Sequence, residues 1–64
     1  MEIYKNIRRL RKKRKMSQEK LANLTGYKHN TAISKIENGE IDLPVSRLVP
    51  FTEALSCRIS DLFK

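Results

Sequence analysis

The chain has 64 residues, enough for one small domain, and its 14 Lys and Arg against 7 Asp and Glu give a net charge of +7. A single Cys and a single His exclude an intrachain disulfide framework and a Cys- or His-based metal cluster. No apolar run is long enough for a transmembrane helix or a signal peptide, so we expect a cytoplasmic protein. The pI near 10.0 indicates a polyanionic partner.

The positive charge is distributed unevenly along the chain. Residues 1–20 hold nine basic and two acidic residues, whereas residues 21–64 hold five of each. The densest stretch is Arg11-Lys12-Lys13-Arg14-Lys15, named the basic run below. Such a run is typical of a solvated helix end, where cations complement the helix dipole, and also of a phosphate-binding patch. The run alone does not distinguish these two interpretations.

An amphipathic pattern predicts the first helix, over residues 2–14. Ile3, Ile7 and Leu10 recur at spacings of four and three residues, with basic residues between them, and so form one apolar stripe. We expect Met16 to fold back over the core from the turn that follows this helix.

Capping residues delimit a second, short helix over residues 18–25. Ser17 is a residue type favoured at the N-cap, and Gly26 stands where a left-handed residue is expected past the C-terminus. The predicted buried face of this helix consists of Leu21, Ala22 and Leu24.

Three further helices are predicted after the connection at residues 27–29. The third covers residues 30–37, with Asn30 or His29 near its cap, and ends at Asn38-Gly39. The fourth covers residues 45–55. Its buried face is assigned to Leu48, Val49, Phe51 and Leu55.

Pro50 is tolerable in the fourth helix only if that helix starts late, near Ser46, so that one hydrogen bond is lost close to its N-terminus. A short fifth helix carries Ile59, Leu62 and Phe63. Alternating β-branched runs are absent from the sequence. The prediction is therefore an all-α fold, a compact bundle of five short helices forming a single domain over residues 1–64.

The predicted third helix has one apolar and one polar face. Ala32, Ile33 and Ile36 share the apolar face. The polar face consists of Thr31, Ser34 and Asn38, flanked by Asn30 and Lys35. These side chains can hydrogen-bond to base edges in a DNA major groove, but a polar face is equally typical of an ordinary solvent-facing helix.

Several motifs in one order resemble the Cro/CI family of helix-turn-helix regulators, also called lambda repressor-like or XRE. They are IRRLR at residues 7–11, MSQEKLA at 16–22, Gly26, ISKIENG at 33–39 and ALSCRISDLF at 54–63. The resemblance covers nearly the whole chain and implies a five-helix domain whose second and third helices form the helix-turn-helix. Residues 26–28 with 42–46 look most like small regulators from Gram-positive phages and mobile elements.

The resemblance also implies roles for individual residues. Contacts to bases are expected from Asn30, Thr31, Ser34 and Lys35. Contacts to phosphates are expected from Ser17, Gln18, Lys12, Lys13, Lys28 and Asn38. Arg11 and Glu37 match a pair that forms an internal salt bridge in several relatives, so we expect Arg11 to be structural despite its place in the basic run. Candidates for a dimer interface are Ile59, Leu62 and Phe63, which could instead fill the core of the monomer.

The chain departs from the common family pattern at several points. One extra residue between Gly26 and Ile33 leaves open whether Lys28 and His29 contact bases, contact phosphates or face solvent. We assign no DNA contact to the acidic loop after Gly39. Residue 56 is Ser where relatives usually have Gly, so an irregular start to the last helix is expected.

The leading hypothesis is a sequence-specific regulator of transcription that binds duplex DNA as a homodimer, on a (pseudo)palindromic operator with half-sites about 34 Å apart. An antitoxin-type regulator that also binds a protein partner is an alternative. Another is a membrane-surface protein that uses residues 5–15, although the apolar stripe there is narrow. The sequence contains no catalytic constellation or Gly-rich phosphate loop, so we expect no enzyme, metal, cofactor or small-molecule ligand.

Overall fold

A computed structural model describes residues 3–64, and within that range every regular element is helical. The four α-helices are α1 (Ile3–Lys13), α2 (Gln18–Thr25), α3 (Asn30–Glu37) and α4 (Leu48–Leu55). Two 3₁₀ helices accompany them, the first at Val45–Arg47 and the C-terminal one at Ile59–Phe63. The predicted bounds of α2 and α3 are confirmed. α1 ends at Lys13, one residue earlier than predicted, and its predicted start at residue 2 lies outside the described residues.

The prediction of five α-helices was wrong, because the last segment is a 3₁₀ helix. Ser56 ends α4 in the left-handed conformation and Arg58 is extended, which leaves only five residues for the final element. The Asp61 carboxylate accepts a hydrogen bond from the Arg58 N–H at 2.9 Å, and the Asp61 N–H donates to the Arg58 carbonyl at 2.9 Å. This tight i to i+3 bonding is characteristic of short 3₁₀ turns.

The fourth helix begins differently from the prediction. Residues 45–47 form a 3₁₀ turn, and α4 proper starts at Leu48. Pro50 is therefore the third residue of α4. The first four N–H groups of an α-helix have no partner within the helix, so Pro50 costs no helical hydrogen bond.

One hydrophobic core joins all four α-helices and the C-terminal 3₁₀ helix. It consists of Ile3, Ile7, Leu10, Leu21, Ala22, Ile33, Ile36, Leu48, Phe51, Leu55 and Leu62. Met16 packs against this core as predicted. None of the helices in residues 3–64 is long and apolar enough to cross a membrane.

Two side chains assigned to the core face solvent instead. Leu24 is 47% exposed, because Thr25 takes the inward position one turn after Leu21 and donates its hydroxyl to the Leu21 carbonyl at 2.7 Å. Val49 is 53% exposed, because the buried side of α4 is formed by Leu48, Phe51 and Leu55 and Val49 projects away from it.

Candidate nucleic-acid interface

Helices α2 and α3 are joined by a short connection whose geometry is set by local capping. Ser17 caps α2, since its Oγ accepts a hydrogen bond from the Lys20 N–H at 3.0 Å. Gly26 ends α2 with a φ of +86°, a conformation that side-chain-bearing residues rarely adopt. The chain then turns through residues 27–29 and starts α3 at Asn30. The result is two short packed helices with the second one presented at the surface.

α3 has the two-sided character that the sequence predicts. Ile33 and Ile36 are fully buried against the rest of the protein. On the outer side, Asn30, Thr31, Lys35 and Asn38 are exposed, and Ser34 is half-buried. The four predicted base-contacting residues therefore lie on one helix, and three of them are exposed.

A charged network fixes α3 to the two helices that precede it. The Arg11 Nε lies 2.7 Å from the Glu37 Oε2, and the Arg11 Nη2 donates to the Glu37 Oε1 at 3.2 Å, so the contact is bidentate. The remaining Arg11 nitrogen donates to the Met16 carbonyl at 2.8 Å. Both side chains are nearly inaccessible, 11% and 2% exposed. The ion pair that the resemblance implies is thus present and buried.

Gln18 joins the same network from the first residue of α2. Its Nε2 donates a hydrogen bond to the Glu37 Oε1 at 3.2 Å. An amide nitrogen has two hydrogens, so one N–H of Gln18 can still bind an external acceptor. Gln18 is therefore both a structural link between α2 and α3 and an available donor beside the capped N-terminus of α2.

The basic run divides into two groups according to helical position. Arg11 and Arg14 bind within the domain. The Arg14 Nε donates to the Leu55 carbonyl at 2.9 Å and its Nη2 to the Ser56 carbonyl at 3.0 Å, which caps the C-terminus of α4. The three lysines of the run are exposed. Lys12 and Lys13, which are predicted to contact phosphates, are accordingly accessible, as is Lys28 in the α2–α3 connection.

The three residues predicted to form a dimer interface differ in exposure. Leu62 is 0% exposed and belongs to the monomer core, so it is unavailable to a partner. Ile59 and Phe63 are 44% and 51% exposed on the C-terminal 3₁₀ helix. Of the three candidates, only Ile59 and Phe63 therefore offer apolar surface to a partner.

Three structural contacts were missed by the sequence analysis. One is the Arg14 cap described above. Another is the buried Asn6, whose Nδ2 donates to the carbonyls of Leu62 and Lys64 at 2.9 and 3.0 Å and so ties the C-terminal segment to α1. The third is Arg47, whose guanidinium carbon lies 5.0 Å from the centroid of the Tyr27 ring. The inward position of Asn6 and Arg14 could have been predicted from their helical spacing, since both lie on the same stripe as Ile3, Ile7 and Leu10.

Two groups with shifted pKa lie at the C-terminal end, away from α3. Burial, with the nearby Asp61 carboxylate, raises the pKa of the Cys57 thiol. The hydrogen bond from the Arg58 N–H, together with Lys64, lowers the pKa of Asp61. Neither shift favours a reactive thiolate or a general acid near the exposed face of α3.

A family model described as helix-turn-helix matches residues 7–62, which is most of the chain. The chain belongs to this helix-turn-helix family. As a helix-turn-helix protein of the Cro/CI or XRE type it is a DNA-binding regulator, and the packed pair α2 and α3 is the candidate motif. No curated protein matches the chain significantly.

Proposed function

We propose that this helix-turn-helix protein regulates transcription by binding a specific duplex sequence as a homodimer, with α3 in the major groove of each half of a (pseudo)palindromic operator. In this proposal the protein acts in the cytoplasm and has no catalytic activity. The similarity of residues 26–28 and 42–46 to regulators of Gram-positive phages and mobile elements favours an origin of that kind.

The observation that carries the proposal is the exposed polar face of α3. Asn30 and Thr31 stand in its first turn, where a recognition helix contacts base edges, and Lys35 follows one turn later. Asn can bind adenine through two hydrogen bonds, Thr offers a hydroxyl and a methyl group, and Lys can bind guanine. The buried Ile33 and Ile36 hold this face outward.

The phosphate contacts are assigned to residues around the recognition helix. Ser17 and the free N–H groups at the start of α2 form an anion-binding end, with the Gln18 amide beside it. Lys12 and Lys13 add exposed charge from α1, and Lys28 and Asn38 stand at the two ends of α3. Together these groups would dock the domain on the backbone, while the face of α3 supplies the sequence preference.

The binding experiment that tests this proposal compares three ligands at matched salt: a random-sequence duplex, its separated strands, and anionic liposomes. We expect the duplex to bind most tightly. The logarithm of its association constant should fall linearly with the logarithm of salt concentration, by about 0.9 for each phosphate neutralised. Liposome binding stronger than duplex binding would favour the membrane-surface alternative and contradict the proposal.

A further inference from the structure

Tyr27 and Arg47 bring together two segments that are separate in the sequence. Tyr27 lies in the connection between α2 and α3, and Arg47 is the last residue of the first 3₁₀ helix. The Tyr27 ring packs against the buried Phe51, with ring centroids 6.2 Å apart and planes at 55°. It also carries the guanidinium of Arg47, whose central carbon is 5.0 Å from the ring centroid. Tyr27 thus anchors Arg47 to the core through a rigid ring.

The guanidinium of Arg47 contacts the Tyr27 ring face, and this contact leaves its N–H donors unbonded. Arg47 is exposed, and within residues 3–64 its guanidinium makes no hydrogen bond or ion pair, since its one hydrogen bond runs from the backbone N–H to the Pro44 carbonyl. A guanidinium that rests on an aromatic ring is attracted through the ring face, while its N–H groups point outward in its own plane. Arg11 and Arg14 differ in this respect, because both spend their donors on partners inside the domain. Arg47 is therefore a positioned cation that still has N–H donors available for an external ligand.

The position of this cation places it beside the recognition helix. Tyr27 precedes Asn30, the first residue of α3, by three residues. The N-terminal end of a recognition helix enters the major groove, which is about 12 Å wide and is bordered by the two phosphate backbones. In the proposed complex, a charge fixed next to that end would lie near one of these backbones. Lys28, which is exposed in the same connection, adds a second cation there.

We propose that Arg47, held in place by Tyr27, binds a DNA phosphate beside the N-terminus of α3. This inference rests on the proposed function, because it takes α3 as the helix in the groove. It adds a docking point that does not belong to the charge-rich first 20 residues. The ring limits the freedom of the arginine side chain before DNA arrives, so less conformational freedom is lost on binding. Because a phosphate carries no sequence information, Arg47 contributes to affinity for every duplex alike.

The test compares Arg47→Gln with Arg58→Gln, which removes the same charge beyond the opposite end of α4, a helix of 8 residues that is about 12 Å long. Thermal unfolding of both variants first establishes that they fold. Duplex affinity is then measured over a series of salt concentrations. We expect the salt slope of Arg47→Gln to be shallower than that of the wild type by about 0.9 for each bound protomer, and the slope of Arg58→Gln to be unchanged.

A third variant, Arg47→Lys, keeps the charge but loses the planar fork that stacks on Tyr27. It should retain the wild-type salt slope and bind duplex more tightly than Arg47→Gln. Equal slopes for Arg47→Gln and the wild type, or a changed sequence preference in Arg47→Gln, would overturn the phosphate contact. Failure of the wild type to bind any duplex would instead contradict the proposed function, and the inference with it.

Discussion

At the scale of single residues, the position of each basic side chain around α1 determines whether it binds within the domain or faces solvent. Arg11 follows Ile7 by four residues and Arg14 follows Leu10 by four, so both point toward the domain and find acceptors there. Lys12, Lys13 and Lys15 fall between these positions and are exposed. A run that looks uniform in the sequence therefore contributes two internal contacts and three surface charges.

The buried ion pair provides the prediction at this scale. Removing one partner, as in Arg11→Gln, leaves the Glu37 carboxylate buried without its bidentate donor. We expect the free energy of unfolding, measured by urea denaturation, to fall by about 3–5 kcal/mol. Because so small a domain has little stability to lose, a variant that is already unfolded at 25 °C also agrees with this prediction.

Lys12→Gln is the matched control, since it removes an exposed charge one residue further along α1. Its unfolding free energy should stay within about 0.5 kcal/mol of the wild type. If Arg11→Gln were as stable as Lys12→Gln, the ion pair would contribute no net stability, and the prediction would be wrong.

At the scale of secondary-structure elements, the features that the sequence predicted are those that local chemistry determines. The bounds of α2 follow from the Ser17 cap and the left-handed Gly26, both of which act within one turn. The outward face of α3 follows from the spacing of Ile33 and Ile36. The sequence therefore predicted the bounds and the exposed polar face of α3 without knowledge of its neighbours.

The side-chain positions that the sequence did not predict depend on competition within a helix or on distant contacts. Leu24 is a good core residue by type, but the inward position is taken by Thr25, whose hydroxyl bonds within the helix. The cap of α4 comes from Arg14, 41 residues away in the chain from the Leu55 carbonyl that it binds. The stack of Arg47 on Tyr27 likewise joins two segments through tertiary packing. Spacing along one helix indicates that Arg14 faces the domain, but it does not reveal which group Arg14 binds.

The residue that ends α4, Ser56, gives the prediction at this scale. Ser56 adopts a φ of +51° without being glycine, and a left-handed residue costs roughly 1–2 kcal/mol. Ser56→Gly should therefore raise the unfolding free energy, by about 0.5–1 kcal/mol after the larger backbone entropy of glycine in the unfolded chain is subtracted.

Ser60→Gly is the comparison variant, because Ser60 is not among the residues with positive φ. Thermal or urea unfolding should show stabilisation for Ser56→Gly and destabilisation for Ser60→Gly. A loss of stability in both would mean that the Ser56 conformation carries no strain.

At the scale of the whole molecule, the excess positive charge and the exposed polar face of α3 lie in different parts of the chain. The excess lies in residues 1–20, on α1 and the start of α2, whereas the residues of α3 that face outward are mostly uncharged. Attraction between these basic side chains and the DNA phosphates would bring the domain to any duplex. The outer face of α3 would then select among sequences. One such face covers only a few base pairs, which is the reason to expect a dimer.

The dimer can be tested on the two exposed apolar side chains of the C-terminal 3₁₀ helix. Phe63→Ser should weaken self-association, because Phe63 is 51% exposed and would be covered in the dimer. Sedimentation equilibrium at micromolar protein, with and without bound duplex, measures the effect. Val49→Ser is the control, since Val49 is 53% exposed on another element and should leave association unchanged. A wild type that stays strictly monomeric on its bound duplex would contradict the dimer.

Selection of bound sites from a random duplex pool, carried out with three proteins, tests whether the outer face of α3 selects the DNA sequence. The wild type should enrich a two-fold symmetric site with half-sites about one helical turn apart. Thr31→Ala should lose preference at one position of each half-site, by about 1–3 kcal/mol. Ser60→Ala, altered on the C-terminal 3₁₀ helix, should select the wild-type site. An identical site for wild type and Thr31→Ala, or no enriched site for the wild type, would contradict the account.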